Sequence, residues 1–157
     1  MKFDIPTPLR QEHEALHDEL RRATQAGGEV GSAAKELARL MHPHFVKEDE
    51  IALPPLGLLD ALARGEHDAG FDDVLALTDR LEAELPAMLD EHRSIVGALQ
   101  RLQAAAERAG RDDIVAFAHQ LMQHARTEEE VMYPAARLVG RHVRLLAAER
   151  AGHLVST

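Results

Sequence analysis

Apolar residues recur along most of this chain in alternating steps of four and three, the spacing that lines one face of an α-helix. A first helix is expected over residues 7–26, with Thr7 as its cap, Pro8 in its first turn and Gly27 and Gly28 as its stop. A second helix should open at Ser32 and carry the stripe Leu37, Met41, His44, Glu48, Ile51 until Pro54 and Pro55 end it. Residues 54–70 read as a connection containing Gly57, Gly65 and His67, with one short helix over residues 58–63. The third helix, residues 72–109, repeats the pattern through Leu81, Leu85, Met88, His92, Ile95, Leu99 and Leu102, with a kink expected at Pro86. The fourth starts near Asp112 and runs through Phe117, Leu121, His124, Glu128, Val131, Ala135 and Leu138, passing Pro134. Residues 141–157 carry weaker signals, those of a helical extension or a frayed tail.

Four long amphipathic segments joined mainly by short turns predict an all-α fold, an antiparallel up-down-up-down four-helix bundle. The second half of the chain repeats the first. Glu12-His13-Glu14-Ala15-Leu16 matches Glu91-His92-Arg93-Ser94-Ile95, and the eleven residues from His44 to Pro54 match those from His124 to Pro134, at offsets of 79 and 80. The shared pattern of the longer block is H-x-x-x-E-[DE]-E-[IV]-x-x-P, so the bundle is expected to consist of two repeated helical hairpins.

Each repeat places polar groups where the core should be apolar. His44 and Glu48 are consecutive stripe positions, as are His124 and Glu128; His92 interrupts the third stripe, and His13 lies between Leu9 and Leu16 in the first. Residues four apart on a helix point the same way, so all four helices send imidazoles or carboxylates toward the bundle axis. An ionised carboxylate in an apolar core costs several kcal/mol, and two together repel. No Lys or Arg on these stripes compensates, whereas a metal centre would. Imidazole and carboxylate suit iron, zinc, copper or manganese, and six such groups exceed what one tetrahedral site uses. Two ions, one for each hairpin's ligands, are therefore expected.

Other features narrow the chemistry. The chain has 157 residues, 45% of them hydrophobic and 29% charged, which suits one folded domain rather than a disordered segment. Its net charge of −9 opposes binding to nucleic acid or to anionic lipid. With no cysteine there is no thiolate catalysis, disulfide framework or cysteine-ligated cluster. Neither a signal peptide nor a transmembrane run is visible, and a soluble, cytoplasmic protein is expected. Pro43 should bend the helix just before His44 and aim that imidazole. His42 lies about 200° round the helix from His44 and is read as no ligand. His67, His119, His142 and His153 fall outside the blocks and are read as incidental. Tyr133, the only tyrosine, is read as packing, and the outer members of the acidic runs as solvated or as acceptors for ligand imidazoles.

These blocks resemble the hemerythrin family, specifically the bacterial hemerythrin-like proteins with an HHE cation-binding domain, over residues 7–140 of the chain. The resemblance implies a non-haem di-iron centre, oxo- or hydroxo-bridged, with terminal histidines and bridging carboxylates. It implies reaction with a small oxidant (O2, NO or peroxide), and it assigns His13, His44, Glu48, His92, His124 and Glu128 as metal ligands by motif position. Ferritin-like di-iron bundles use Glu-x-x-His units, the opposite order and spacing. Hemerythrins proper carry a His-x-x-x-His pair in the second hairpin, where this chain has Val96. His17, four residues after His13, is the fifth-histidine candidate. Two uses remain open at this point, uptake of a small ligand for storage, delivery or sensing, and a catalase-like enzyme that decomposes peroxide. A helical interaction bundle without chemistry would leave Glu48 and Glu128 buried without a partner.

Overall fold

The computed structural model describes the backbone of residues 2–155 and the side chains of residues 2–153. All regular structure among them is helical. Helix α1 spans Thr7–Thr24 and α2 Gly28–Lys47; α3, Leu59–Ala63, lies in the connection, followed by α4, Val74–Arg108, then α5, Asp112–Thr127, and α6, Tyr133–Val155. A π-helical turn, Glu48–Ala52, extends α2, and a second, Glu128–Met132, joins α5 to α6 in one continuous rod. Two 3-10 turns, Pro54–Leu58 and Ala69–Asp73, flank α3.

The starts of the first two helices differ from expectation. Thr7 is already helical, and Pro6 is the capping residue of α1, with no side-chain cap bond. Ser32 lies inside α2, which starts a turn earlier at Gly28, because Gly27 takes a positive φ of 74° that most residues avoid and reverses the chain in a tighter turn.

Ion pairs trace the antiparallel arrangement. Between α2 and α4, Glu29 pairs with Arg108 at 3.2 Å, Glu36 with Arg101 at 2.8 Å and Lys47 with Glu91 at 2.5 Å, so one number rises as the other falls. Between α4 and α6, Glu82, Asp79 and Asp72 meet Arg137, Arg144 and Arg150 in the same sense. Helix α1 packs on α2 and on α5, which closes an all-α four-helix bundle.

The core is layered along the bundle axis. One apolar layer, with Leu16, Leu37, Leu99 and Leu121, fills the end nearer Gly27 and Gly110. A second, with Ile51, Leu81, Met88 and Met132, fills the other end. The ligand-type residues lie between them. A third cluster, where Phe3, Leu58 and Phe71 meet Val74, Val139 and Val143, docks the N-terminal segment and the connection against α4 and α6. Residues 141–155 thus form a helical extension, which packs through Val143 and pairs Arg150 with Asp72; residues 156–157 lie outside the described residues.

The fourth stripe holds only as far as Glu128. Val131 and Leu138 are 59% and 65% exposed, and the buried apolar side chains beyond are those of Met132, Tyr133, Ala136, Val139 and Val143. A π turn inserts one residue per turn relative to an α-helix, so every later position moves round the helix by one place. The expected series 131, 135, 138 becomes 132, 136, 139.

Close approach of α6 to α4 depends on Gly140, where an added Cβ would run into the Thr78 side chain. At Gly97, inside α4, a Cβ would meet only the Arg101 guanidinium at an ordinary 3.6 Å. Gly97→Ala is therefore expected to stabilise the fold by about 0.5–1 kcal/mol, as helix propensity dictates. Gly140→Ala should destabilise it by about 1–3 kcal/mol through overpacking. Thermal unfolding of the two variants, read side by side, checks the difference in sign.

Candidate metal centre

Six of the seven residues picked from the sequence meet at the bundle axis, each 6% exposed or less: His13 from α1, His44 and Glu48 from α2 and its π turn, His92 from α4, His124 and Glu128 from α5 and the second π turn. Ligand atoms of His44, Glu48, His92 and Glu128 lie within 4.8 Å of one another, as do those of His13, His124 and Glu128. The imidazoles thus come together across the two hairpins rather than within one, because in the closed bundle α2 faces α4 and α1 faces α5.

Both carboxylates reach both groups. Glu48 presents Oε1 to His44 Nε2 at 3.2 Å and Oε2 to His13 Nε2 at 3.7 Å. Glu128 presents Oε1 to His124 Nε2 at 2.5 Å and His13 Nε2 at 3.5 Å, and Oε2 to His92 Nε2 at 3.2 Å. Each carboxylate therefore divides its two oxygens between two imidazole pairs, the placement that a bridge between two cations needs.

Outward, every ligand-type imidazole meets a further carboxylate through Nδ1. His13 meets Asp49 at 3.2 Å, His44 meets Glu91 at 2.7 Å, His92 meets Glu129 at 2.8 Å, and His124 has Glu12 at 3.1 Å. Such partners fix the ring orientation and turn Nε2 inward, where those of His44 and His92 lie 2.8 Å apart. All four adjoin a ligand-type residue in sequence. Asp49 and Glu129, from the E-[DE] blocks, serve the first helix of their own hairpin; Glu12 and Glu91, from the EH blocks, serve the second helix of the other. Sequence reasoning misses Glu12 and Glu91 as functional residues although the EH doublet is in view, because the helix they support is set only by packing.

Tyr133 belongs to the site rather than serving as packing alone. It is 1% exposed, donates its hydroxyl hydrogen bond to Glu48, and lies 3.3 Å from His92 Nε2. On a regular helix the fifth residue after Glu128 would point about 140° away from it. The π turn, whose Tyr133 N–H bonds back to the Glu128 carbonyl, swings it to the same face. Proline accounts for the turn in both repeats, since Pro54 and Pro134 have no N–H for the carbonyl four residues earlier and a widened turn relieves the clash.

His17 does not join the cluster. It is exposed on α1, its ring edge against Phe45 and its face toward His42, which is exposed as well. His67, His119, His142 and His153 are exposed and stand apart from the six.

The electrostatics are those of a site built for positive charge. Burial would lower the pKa of His13, but the Asp49 hydrogen bond and the nearby Glu128 and Glu48 carboxylates outweigh it and raise the imidazole to about 10. His44 is raised to about 9 against the same desolvation by Glu48 and Glu91. The two central carboxyls move apart: desolvation and the neighbouring Glu128 charge push Glu48 up, whereas Glu128, despite its own burial, is held down by His124, His13 and His92. Burial also raises Tyr133, which keeps its proton. Even so, His13 Nε2, both nitrogens of His124, Glu48 Oε2 and Glu128 Oε1 are buried with no partner in hydrogen-bonding geometry, although an oppositely charged group lies within 4 Å of each. Orphaned polar atoms of this kind are rare in folded proteins and point to an ion.

Compared with known protein families, residues 4–136 match the hemerythrin HHE cation-binding domain, with a second match over residues 83–151. The chain belongs to the hemerythrin HHE cation-binding family. No curated protein and no solved structure matches it. Membership in this family and the His/Glu groups in the core agree on cation binding. Among the described residues no helix is long and apolar enough to cross a membrane.

In the metal-free protein, imidazolium protons supply the positive charge. Histidines whose pKa is higher folded than unfolded stabilise the fold fully below about pH 6.5. That stability is lost as pH rises through about 9 for His44 and about 10 for His13. Chelator-treated protein should therefore lose several kcal/mol between about pH 6.5 and 10, since a folded pKa one higher than the unfolded value corresponds to about 1.4 kcal/mol. Metal-loaded protein should hold its melting temperature over that range, which thermal scans at stepped pH will test.

Proposed function

We propose that this hemerythrin-like chain holds two iron ions at its core and uses them to bind or react with a small oxidant, O2, NO or peroxide. The observation that carries the reading is the division of each buried carboxylate between two imidazole pairs. His13, His44, His92 and His124 would be terminal ligands, with Glu48 and Glu128 shared between the ions. His17, exposed and apart, is not assigned to this set. When bound, a reduced di-iron pair supplies electrons and an open coordination position to a small oxidant.

The chain's own residues do the rest. Asp49, Glu91 and Glu129 hold three of the imidazoles by hydrogen bonds, and Glu12 faces the fourth, His124, as a counter-charge. The apolar layers with Leu16, Ile95 and Leu121 on one side and Ile51, Met88 and Met132 on the other keep bulk water from the carboxylates. Tyr133 keeps a proton within hydrogen-bond reach of Glu48 and His92.

Metal analysis of protein expressed with iron should return about two ions per chain, the capacity of two shared carboxylates and four imidazoles. Glu128→Ala or His124→Ala should lose metal and lower the melting temperature, because ligand loss removes binding energy that also holds the fold. A milder change, Glu91→Gln, should weaken metal affinity about 10–100-fold without unfolding the chain. Metal content and melting temperature unchanged in all three would remove the assignment.

Tyr133 also favours a second, enzymatic reading, decomposition of peroxide, which needs a buried proton donor. Under that reading Tyr133→Phe keeps the metal content but slows peroxide-dependent oxygen release about 100-fold, the range general acid catalysis supplies. Oxygen release equal to that of the unmodified protein would remove Tyr133 as the donor, and an unmodified protein that releases no oxygen from peroxide would leave simple ligand binding.

A further inference from the structure

The six ligand-type residues are enclosed, so ions and small solutes must reach them through some part of the wall. We propose that Phe45 is the movable plug of that route and controls the passage of divalent cations between the core and a surface groove on α1 and α2. The inference rests on the metal-centre reading above and concerns only access to it.

Three observations meet at this residue. A groove of about 400 Å³ opens between α1 and α2, lined by His17, Asp18, Arg21, Ala38 and His42 among others. The Phe45 ring, 3% exposed, lies at 4.8 Å from the exposed His17 ring and at 4.9 Å from the buried His13 ring. One side chain therefore spans the distance from groove to site. Behind it are the orphaned polar atoms, His13 Nε2, His124 Nε2, Glu48 Oε2 and Glu128 Oε1.

Two other approaches cost more. A groove beside the N-terminal segment includes Asp49, but passage there must break the hydrogen bond that orients His13. On the His44 and His92 side stands Tyr133, buried and bonded to Glu48. Phe45 holds its place by packing alone, so a rotation of its side chain opens the way without breaking a polar contact. At the mouth, His17 and His42 offer imidazole nitrogens that can replace the water around a first-row divalent cation.

The repeat supports a special role for this face. Where the first hairpin has His17, His42 and Phe45, the second has Val96, Met122 and Ala125. The polar mouth and the aromatic plug thus exist on one side of the duplicated bundle.

The test uses the iron-loaded protein as purified, reduced and mixed with excess colour-forming Fe(II) chelator, with release followed by absorbance. Phe45→Ala and Phe45→Leu should release iron about tenfold faster than the unmodified protein, from the same starting stoichiometry, as a lowered barrier requires. Leu102→Ala, which opens a cavity in the same apolar layer away from the groove, should release at the unmodified rate. Unaltered release in both Phe45 variants, or equal acceleration in Leu102→Ala, would overturn the plug. An unmodified protein that binds no iron would instead overturn the metal-centre reading, and the plug with it.

Discussion

Two carboxylates in the middle of a four-helix core govern this molecule. Glu48 is 0% exposed and Glu128 2%, with neither paired to a lysine or arginine among the described residues, and burying such a pair is costly unless positive charge is supplied. Four imidazoles face them, and their outward nitrogens in turn face Asp49, Glu91, Glu129 and Glu12. The result is a charge-alternating shell, carboxylate inside, imidazole next, carboxylate outside. The bundle gives up part of its hydrophobic interior to this arrangement, and the apolar clusters above and below it provide the packing that holds four helices around a polar middle.

The duplicated hairpin explains why so short a chain can build the shell. Each repeat contributes an EH doublet and an H-x-x-x-E-[DE] block, and each doublet combines a ligand-type residue with a carboxylate for another helix's imidazole. Closure of the bundle makes the two hairpins interdependent, since Glu12 serves His124 and Glu91 serves His44. The departures from strict repetition are where the two halves acquire different character. Tyr133 stands where the first hairpin has Leu53 and places a phenol against Glu48. Phe45 stands where the second has Ala125 and closes the opposite side.

The π turns link sequence to site. Pro54 and Pro134 punctuate both blocks at the same distance from the central glutamates, and the widened turn before each lets the helix continue or end without losing the glutamate's inward aim. In the second repeat the same widening turns Tyr133 inward and moves the buried face by one residue, which leaves Val131 and Leu138 on the surface.

Much of this is legible in the amino-acid sequence. Helical periodicity, which depends only on neighbours three and four apart, marks four long helices and places His13, His44, Glu48, His92, His124 and Glu128 on inward faces. The repeated blocks mark those six as one chemical group, and the family resemblance agrees. What the linear pattern could not contain was anything set between helices or by a non-α turn. His17 sits one turn from His13, yet it faces Phe45 and the surface, because the direction of the axis as seen from α1 is decided by how α1 packs on α2 and α5. The pairing of imidazoles across hairpins, the partner chosen by each outer carboxylate and the inward swing of Tyr133 arise in the same way. A local pattern specifies which side of a helix is apolar; which residues of different helices touch across the axis is decided only when the helices pack.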